Sequence, residues 1–262
     1  MRNVILIPAR AGSKGIKNKN FLKVKGVPLT LRSINHARYI VSNQSLICIS
    51  TDSSKLMELC VKVLNLKVDK KYIGQEFVFI NSKIILHRRP AELSHDESLI
   101  SDLLFYLRQK LNAAGIETAN WLILQPTSPF RSKNELIQIK KILRAKMEDL
   151  NFSLVSVTKV SDMHPARMYR NGSKGTLKPE NSYQKFYYKR RQDLPEVFIR
   201  DGGFYIIGNN LVENKLQYSR NPMPFYRDEP WSLNIDKNQE LFLAKSLENS
   251  RIKEDPNESG NR

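Results

Sequence analysis

Short apolar runs alternate with longer amphipathic ones through the first half of the chain, and this order constrains the fold more than any other feature. Residues 3–8, 45–51 ("SLICIST"), 83–87, 121–125 and 152–158 read as strands. Between them, residues 28–41, 53–64, 96–113 and the stretch opening at Ser132 read as helices. Pro28 suits a first-turn position, Ser94 and Asp96 are cap candidates for the third helix, and Ser132-Lys133-Asn134-Glu135 has the S-x-x-E form of a capping box. Strands separated by helices of ten or more residues form βαβ units, so the expected fold is α/β, a mostly parallel sheet with helices on both faces.

The pattern then changes. From 161 to 197 there is little helical periodicity, a turn at Asn171-Gly172 and the dense run "QKFYYKRRQDLP", which together read as a small arm over about 161–195. A strand returns at 197–207, and a last short strand is expected at 232–235 ("SLNI"). Asp236 is placed to cap a final helix reaching about residue 247. The expected organisation is one α/β domain over 1–248 carrying the arm, with 249–262 a polar, disordered tail and 72–78 an inserted surface loop.

Charge narrows the function. Lys and Arg number 43 against 26 Asp and Glu, a net charge of +17, but the cations are scattered in short groups ("SKGIKNKN", "HRRP", "YYKRRQD"). A nucleic-acid track concentrates its cations on one stripe with interleaved aromatics; several separate anion contacts fit the scatter better. No run approaches the ~18 apolar residues of a membrane helix. Cys48 and Cys60 sit in apolar surroundings and read as buried thiols of a reducing, cytoplasmic compartment. His36, His87, His95 and His164 show no metal-ligand spacing.

Residues 7–20, "IPARAGSKGIKNKN", follow the first strand and carry Arg10, Lys14, Lys17 and Lys19 ahead of Asp52, the first acidic residue in the chain. In parallel α/β sheets ligands bind beyond the carboxyl ends of the strands. Glycines there admit backbone N–H groups to an anion. A cation ~4 Å from a phosphate oxygen contributes about 4 kcal/mol at an effective dielectric near 20, before desolvation. The loop is neither G-x-x-x-x-G-K-[ST] nor G-x-G-x-x-G. A solvated basic loop is the plain alternative. Polar and cationic groups recur after the later strands, at "STD" (50–52), "RRPAEL" (88–93) and "LQPTSPFR" (124–131).

Together with "RRQDLP…DGGFYI" and "NID", these motifs in this order resemble the acylneuraminate cytidylyltransferases, the CMP-sialic acid and CMP-legionaminic acid synthetases, over nearly the whole chain. The "LQPTSP" segment separates them from the related KDO cytidylyltransferases, which look like "LQGDEP" there. The resemblance implies a three-layer nucleotidyltransferase-type fold, a homodimer joined through the arm, and transfer of CMP from CTP to the anomeric hydroxyl of a nonulosonic acid with Mg²⁺ assisting. It assigns Arg10, Lys14 and Lys19 to the triphosphate, Asn20 to the cytosine edge and Arg89 to the nucleotide. Gln125, Arg167, Arg191, Phe204 and Tyr205 fall to the sugar acid. The family's Asp-x-Asp metal pair is here Asn234 and Asp236, with Asp236 alternatively a general base. Asp201 stands where Asn is common and is a candidate to restore a carboxylate beside the metal. The alternative is a non-catalytic nucleotide- or nucleic-acid-binding protein on the same scaffold.

Overall fold

The computed structural model describes residues 1–12, 15–64, 76–81, 83–160, 162–227 and 232–254. In chain order the strands are β1 (Arg2–Pro8), a small hairpin of β2 (Lys23–Val24) and β3 (Val27–Pro28), β4 (Ser45–Thr51), β5 (Phe77–Asn81), β6 (Ile84–Arg88) and β7 (Thr118–Ile123). They continue with β8 (Ser153–Lys159), β9 (Tyr169–Asn171), β10 (Leu177–Pro179), β11 (Phe198–Gly208) and β12 (Met223–Arg227). The helices are α1 (Leu29–Ile40), α2 (Ser54–Val63), α3 (Ile100–Ala113), α4 (Lys133–Ala145), α5 (Asn209–Glu213) and α6 (Asn238–Glu254).

One mixed sheet of eight strands runs β12-β8-β11-β7-β1-β4-β6-β5. The pairs β7-β1, β1-β4, β4-β6 and β12-β8 are parallel; β11 is antiparallel to both its neighbours, and β5 to β6. The chain starts in the middle of the sheet, builds outward through β4 and β6, then crosses back to β7 on the other side of β1. That reversal puts the carboxyl ends of β1, β4, β6 and β7 around one crevice, where open α/β sheets bind ligands.

Alternation along the strands makes the layers. Ile5, Ile7, Ile47 and Ile49 pack with Ile34, Ala37, Leu56, Cys60, Leu136 and Ile139 of α1, α2 and α4. Val4, Leu6, Leu46 and Cys48, one residue out of phase, pack on the other face with Leu103, Leu104, Leu107 and Leu111 of α3 and Val212 of α5. Each of those fully buried leucines contributes about 1.5–3 kcal/mol relative to exposure. Burial also pushes the thiols of Cys48 and Cys60 up to about 12, which leaves both unreactive. A third cluster joins Ile16 of the opening loop to Val24, Phe130, Ile235 and Ala244, tying that loop to the segment before α6.

Local signals hold where their partners are local. Ser53 Oγ accepts from Leu56 N at the start of α2, and both halves of the Ser132/Glu135 capping box form at α4. Helix α3 instead begins without a side-chain cap, because Ser94 bonds the Pro90 carbonyl and Asp96 pairs with Arg10. Residues 232–235 form no strand; Ile235 N makes a single bond to the Thr127 carbonyl. The edge position goes to β12, which the sequence reading left unassigned, as it did β5 and the β2-β3 hairpin. Residues 77–78, read as part of an inserted loop, belong to β5, and 72–75 lie outside the described residues. The last helix runs through Glu254, past the expected end near 247 and into the expected tail. Residues 255–262 lie outside the described residues.

The excursion between β8 and β11 is a hairpin, β9-β10, followed by short 3-10 turns at Asn181–Phe186 and Arg191–Asp193. His164 closes its base: Nδ1 accepts from Ala166 N, so Nε2 donates to the Pro195 carbonyl at 2.9 Å. Among the described residues no helix is long and apolar enough to cross a membrane.

Candidate active site

A cleft of about 380 Å³ opens at the crevice. Arg10, Gly12, Lys19 and Asn20 line it from the opening loop, Arg89, Asp96 and Ser98 from the segment after β6, and Gln125, Pro126 and Thr127 from the loop after β7. Asn234 and Asp236 come from the segment before α6, with Ile100 and Leu103 of α3 forming an apolar wall. Seven of the residues singled out from sequence therefore share one cleft: Arg10, Lys19, Asn20, Arg89, Gln125, Asn234 and Asp236. Lys14 lies outside the described residues.

The opening loop is held by contacts from distant parts of the chain. Asp52 Oδ1 accepts from Ala11 N at 2.6 Å, and Asn20 Nδ2 donates to the Arg10 carbonyl at 2.6 Å. Ile16 is buried in the third core cluster. Gly15 packs so tightly on the Asp236 backbone that a Cβ there would fall 2.1 Å from its carbonyl oxygen. Asn18 turns through a left-handed conformation (φ 56°) into the 3-10 turn Lys19–Phe21. The result places Lys19 Nζ 2.6 Å from Asp236 Oδ1, across 217 residues of sequence.

These cations are not the unpaired charges their sequence neighbourhood implies. Arg10 Nη2 lies 2.9 Å from Asp96 Oδ1 and its Nη1 donates to the His95 carbonyl, while Lys19 holds Asp236. The partners arrive from other elements, so a local count of charges misses them. Asn234 Nδ2 donates to the second oxygen of Asp236 at 2.7 Å and Asn234 Oδ1 accepts from Ser128 Oγ at 3.3 Å. The expected helix-capping role of Asp236 is not what its carboxylate does; the Glu240 carboxylate accepts from the N–H groups of Asp236 and Lys237 instead.

Beneath Arg89 the floor is polar and buried. Arg89 donates from Nε to Ser50 Oγ and from Nη2 to the Ser50 carbonyl, both at 3.1 Å, and Ser50 Oγ lies 2.9 Å from Nδ1 of the fully buried His87. Burial lowers the Arg89 guanidinium to about 10, with Asp52 opposing and Arg10 reinforcing the shift. Burial, then Arg89 and Lys110, hold the His87 imidazole down to about 3. The unfolded chain binds a proton at this histidine below about 6.5 and the folded one does not. His87 therefore leaves stability untouched above pH 6.5 and erodes it as pH falls toward 3, by about 2 kcal/mol at pH 5. Denaturant melts across pH 4–7 should show His87→Gln with a flatter acid limb than the parent; parallel limbs would exclude the histidine as the cause.

The loop after β7 rests on a buried charge cluster. Arg131 donates from Nε to the Gly203 carbonyl at 2.9 Å and from Nη2 to the Gln125 carbonyl at 3.0 Å. Burial first, then the neighbouring Arg227, lower its guanidinium to about 9. Arg227 bonds Glu135 Oε1 and Asp201 Oδ2, and the Phe204 ring lies 5.5 Å from both guanidinium carbons. Two sequence assignments are corrected by this cluster. Asp201 is no metal ligand: its oxygens accept from Ser156, Thr158, Gly203 N and Arg227. Phe204 is no part of a sugar pocket, since it is fully buried in the core against Phe225.

Three further residues stand away from the cleft. Tyr205 points to the opposite face of the sheet from Phe204, half-buried against the α3 side. Arg167 and Arg191 lie exposed on the arm, where Arg191 Nη1 pairs with Asp162 at 2.6 Å. Neither lines the cleft within this chain.

Over residues 4–69, from β1 into the helix after β4, the chain matches the family model described as Cytidylyltransferase. The chain is similar to the N-acylneuraminate cytidylyltransferase of Streptococcus agalactiae serotype III, 24% identical over 244 residues, which cover 92% of this chain and 52% of that protein. It thus spans about half the length of that relative. It is also similar to the CMP-N,N'-diacetyllegionaminic acid synthase of Legionella pneumophila, 27% identical over 254 residues, covering 94% and 96% of the two chains. Among solved structures, CMP:2-keto-3-deoxy-manno-octonic acid synthetase complexed with CTP shares the fold at a TM-score of 0.59 and 16% identity, covering 96% of this chain and 100% of that one.

The cytidylyltransferase match covers the opening loop and Asp52 but ends before Arg89, Gln125 and Asp236, which only the folded sheet brings to it. The sequence reading noted Asp52 and Thr127 only within polar loops and Asp96 only as a cap candidate, and gave Ser98 and Gly202 no role. Gly202 has φ +77°, and a Cβ there would lie 3.0 Å from Ser128 Oγ and 3.2 Å from Gln125 Oε1. The "DGG" turn was its visible signal. Asp96 had none, since its partner Arg10 lies on a different strand end.

Proposed function

We propose that this protein transfers the cytidylyl group of CTP to the anomeric hydroxyl of a nonulosonic acid, releasing pyrophosphate. The observation that carries the reading is the meeting of Lys19 and Asp236 in one cleft with Arg10, Asn20, Arg89 and Gln125. Asn20 has spent Nδ2 on the Arg10 carbonyl, which leaves Oδ1 to accept from the exocyclic amine of cytosine. Arg89 has spent Nε and one Nη2 hydrogen on Ser50, and Nη1 has no partner among the described residues, so it is a donor for the base's acceptors. An acceptor beside a donor matches cytosine and opposes uracil, whose O4 and N3–H invert that order.

Arg10 and Lys19 face the triphosphate. As the sugar oxygen bonds to the α-phosphorus and the bond to the bridging oxygen breaks, charge builds on pyrophosphate and these cations neutralise it. Gln125 positions the sugar acid. Asp236, with Asn234 as a neutral second oxygen donor, is the place for Mg²⁺; one carboxylate plus substrate phosphates is an ordinary Mg²⁺ donor set, and the Lys19 ammonium on Asp236 already marks a cation position. Mg²⁺ held there adds charge neutralisation at the phosphates. With the metal elsewhere, the Asp236 carboxylate is placed to accept the hydroxyl proton.

The arm is proposed as the dimer contact. Met163, Met168, Leu177 and Tyr188 leave its surface exposed, as do Phe198 and Ile199 at its return. Arg167 and Arg191, off this chain's cleft, then serve the carboxylate of the acid bound by the partner, where a guanidinium fork fits a carboxylate. The buried, unpaired thiols and a CTP substrate support a cytoplasmic location.

Pyrophosphate release should be measured with CTP or UTP, Mg²⁺, and N-acetylneuraminate, N,N'-diacetyllegionaminate or 2-keto-3-deoxy-octonate. Release with CTP and one nine-carbon acid, abolished by chelation, is the expected result. CTP binding without release from any acid would favour a non-catalytic nucleotide binder and sink the proposal.

A further inference from the structure

The polar floor under Arg89 is more elaborate than a buried arginine requires. Ser50 on β4 and His87 on β6 are paired directly in the parallel register and both are fully buried. Arginine has no acceptor, so its Nε–H takes a lone pair of Ser50 Oγ. The Ser50 proton must go elsewhere, and His87 Nδ1 at 2.9 Å receives it. That fixes the His87 tautomer, with the proton on Nε2, which faces Glu76 Oε1 at 3.5 Å. The ring is held in this orientation by Phe77, stacked at 4.6 Å, while Glu76 is anchored by the Tyr106 hydroxyl and by Lys110 Nζ at 3.1 Å. Because the imidazole stays neutral at working pH, Ser50 has one fixed acceptor and presents one fixed lone pair to Arg89.

We propose that Ser50 and His87 are positioning residues that set the plane of the Arg89 guanidinium, and through it the affinity of the cleft for the nucleotide. Two bonds from one residue, side-chain and main-chain, define the guanidinium plane where a single bond would let it rotate about its stem. The relay acts only through Arg89; neither Ser50 nor His87 lines the cleft. The inference rests on the nucleotide reading of that cleft.

A double-mutant cycle tests it, with the Kd for CTP read by calorimetry and KM and kcat by pyrophosphate release. Ser50→Ala is expected to raise Kd and KM about tenfold, the scale of one charge-assisted hydrogen bond, with kcat within about twofold. In an Arg89→Met background the same change should add less than about twofold. His87→Leu should reproduce Ser50→Ala, and His87→Gln, which keeps an acceptor, should recover most of the loss. A merely structural role would instead lower kcat and the melting temperature together and give additive effects in the cycle, overturning the inference. Wild-type protein that binds no CTP would overturn the nucleotide reading and the inference with it. Wild-type binding with additive variants would overturn the inference alone.

Discussion

Lys19→Ala is expected to lower kcat for pyrophosphate release by about 10³-fold while moving the folding stability by less than about 1 kcal/mol. The ammonium sits on a 3-10 turn fixed by Asn18, the buried Ile16 and the packing of Gly15 on Asp236, so under the proposed reaction it would meet the phosphates without reorganising. A preorganised cation of this kind is worth more in the transition state than in the ground state. The Kd for CTP should therefore rise far less than kcat falls. Lys19→Arg should restore only a small part, because the longer fork cannot occupy the 2.6 Å position on Asp236. The pair is partly open to solvent, which is why breaking it has little effect on folding. Steady-state kinetics beside a thermal melt give the result. Activity within tenfold of the parent would reduce the Lys19–Asp236 pair to a latch for the loop.

The second large effect is on stability. Asp201→Ala should destabilise the protein by about 3–5 kcal/mol, lowering Tm by roughly 10 °C. The Asp201 and Arg227 side chains are 2% and 1% exposed, and the variant leaves Arg227 and Arg131 buried close together with Glu135 the remaining carboxylate of the cluster. Their mutual repulsion is already visible in the lowered Arg131 guanidinium. Asp201→Asn keeps acceptors for Ser156 and Gly203 N and should cost less. Since Arg131 carries the Gln125 and Gly203 carbonyls, the surviving folded fraction should also bind the proposed sugar acid more weakly. Calorimetric unfolding decides the matter. A fall in Tm below about 2 °C would mean that water enters to replace the carboxylate.

Much of this architecture was legible because its causes are local. Five apolar runs became sheet strands and four amphipathic runs became α1 to α4, since periodicity reports which face is buried. The capping box at Ser132 formed because both its groups lie within one turn. The failures share a cause. Residues 232–235 have the composition of a strand, yet Ile235 finds only the Thr127 carbonyl, whereas the less obvious Met223–Arg227 lies beside β8 and pairs along its length. Whether a short run becomes a strand depends on an available edge, and that belongs to the assembled sheet.

The candidate site divides in the same way. Its residue types were written in the chain: a basic loop after β1, with polar loops after the strands that follow, because residue type and strand order are properties of sequence. Which charges meet was not. Arg10 found Asp96, Lys19 found Asp236 and Arg89 found Ser50, while Asp201 was absorbed by Arg227 and Phe204 by the core. Coulomb and hydrogen-bond energies fall off over a few ångströms, so they are decided by distances that strand order and packing create between residues far apart in the chain. The loop that looked unpaired in sequence became, in the folded protein, one half of a paired cleft.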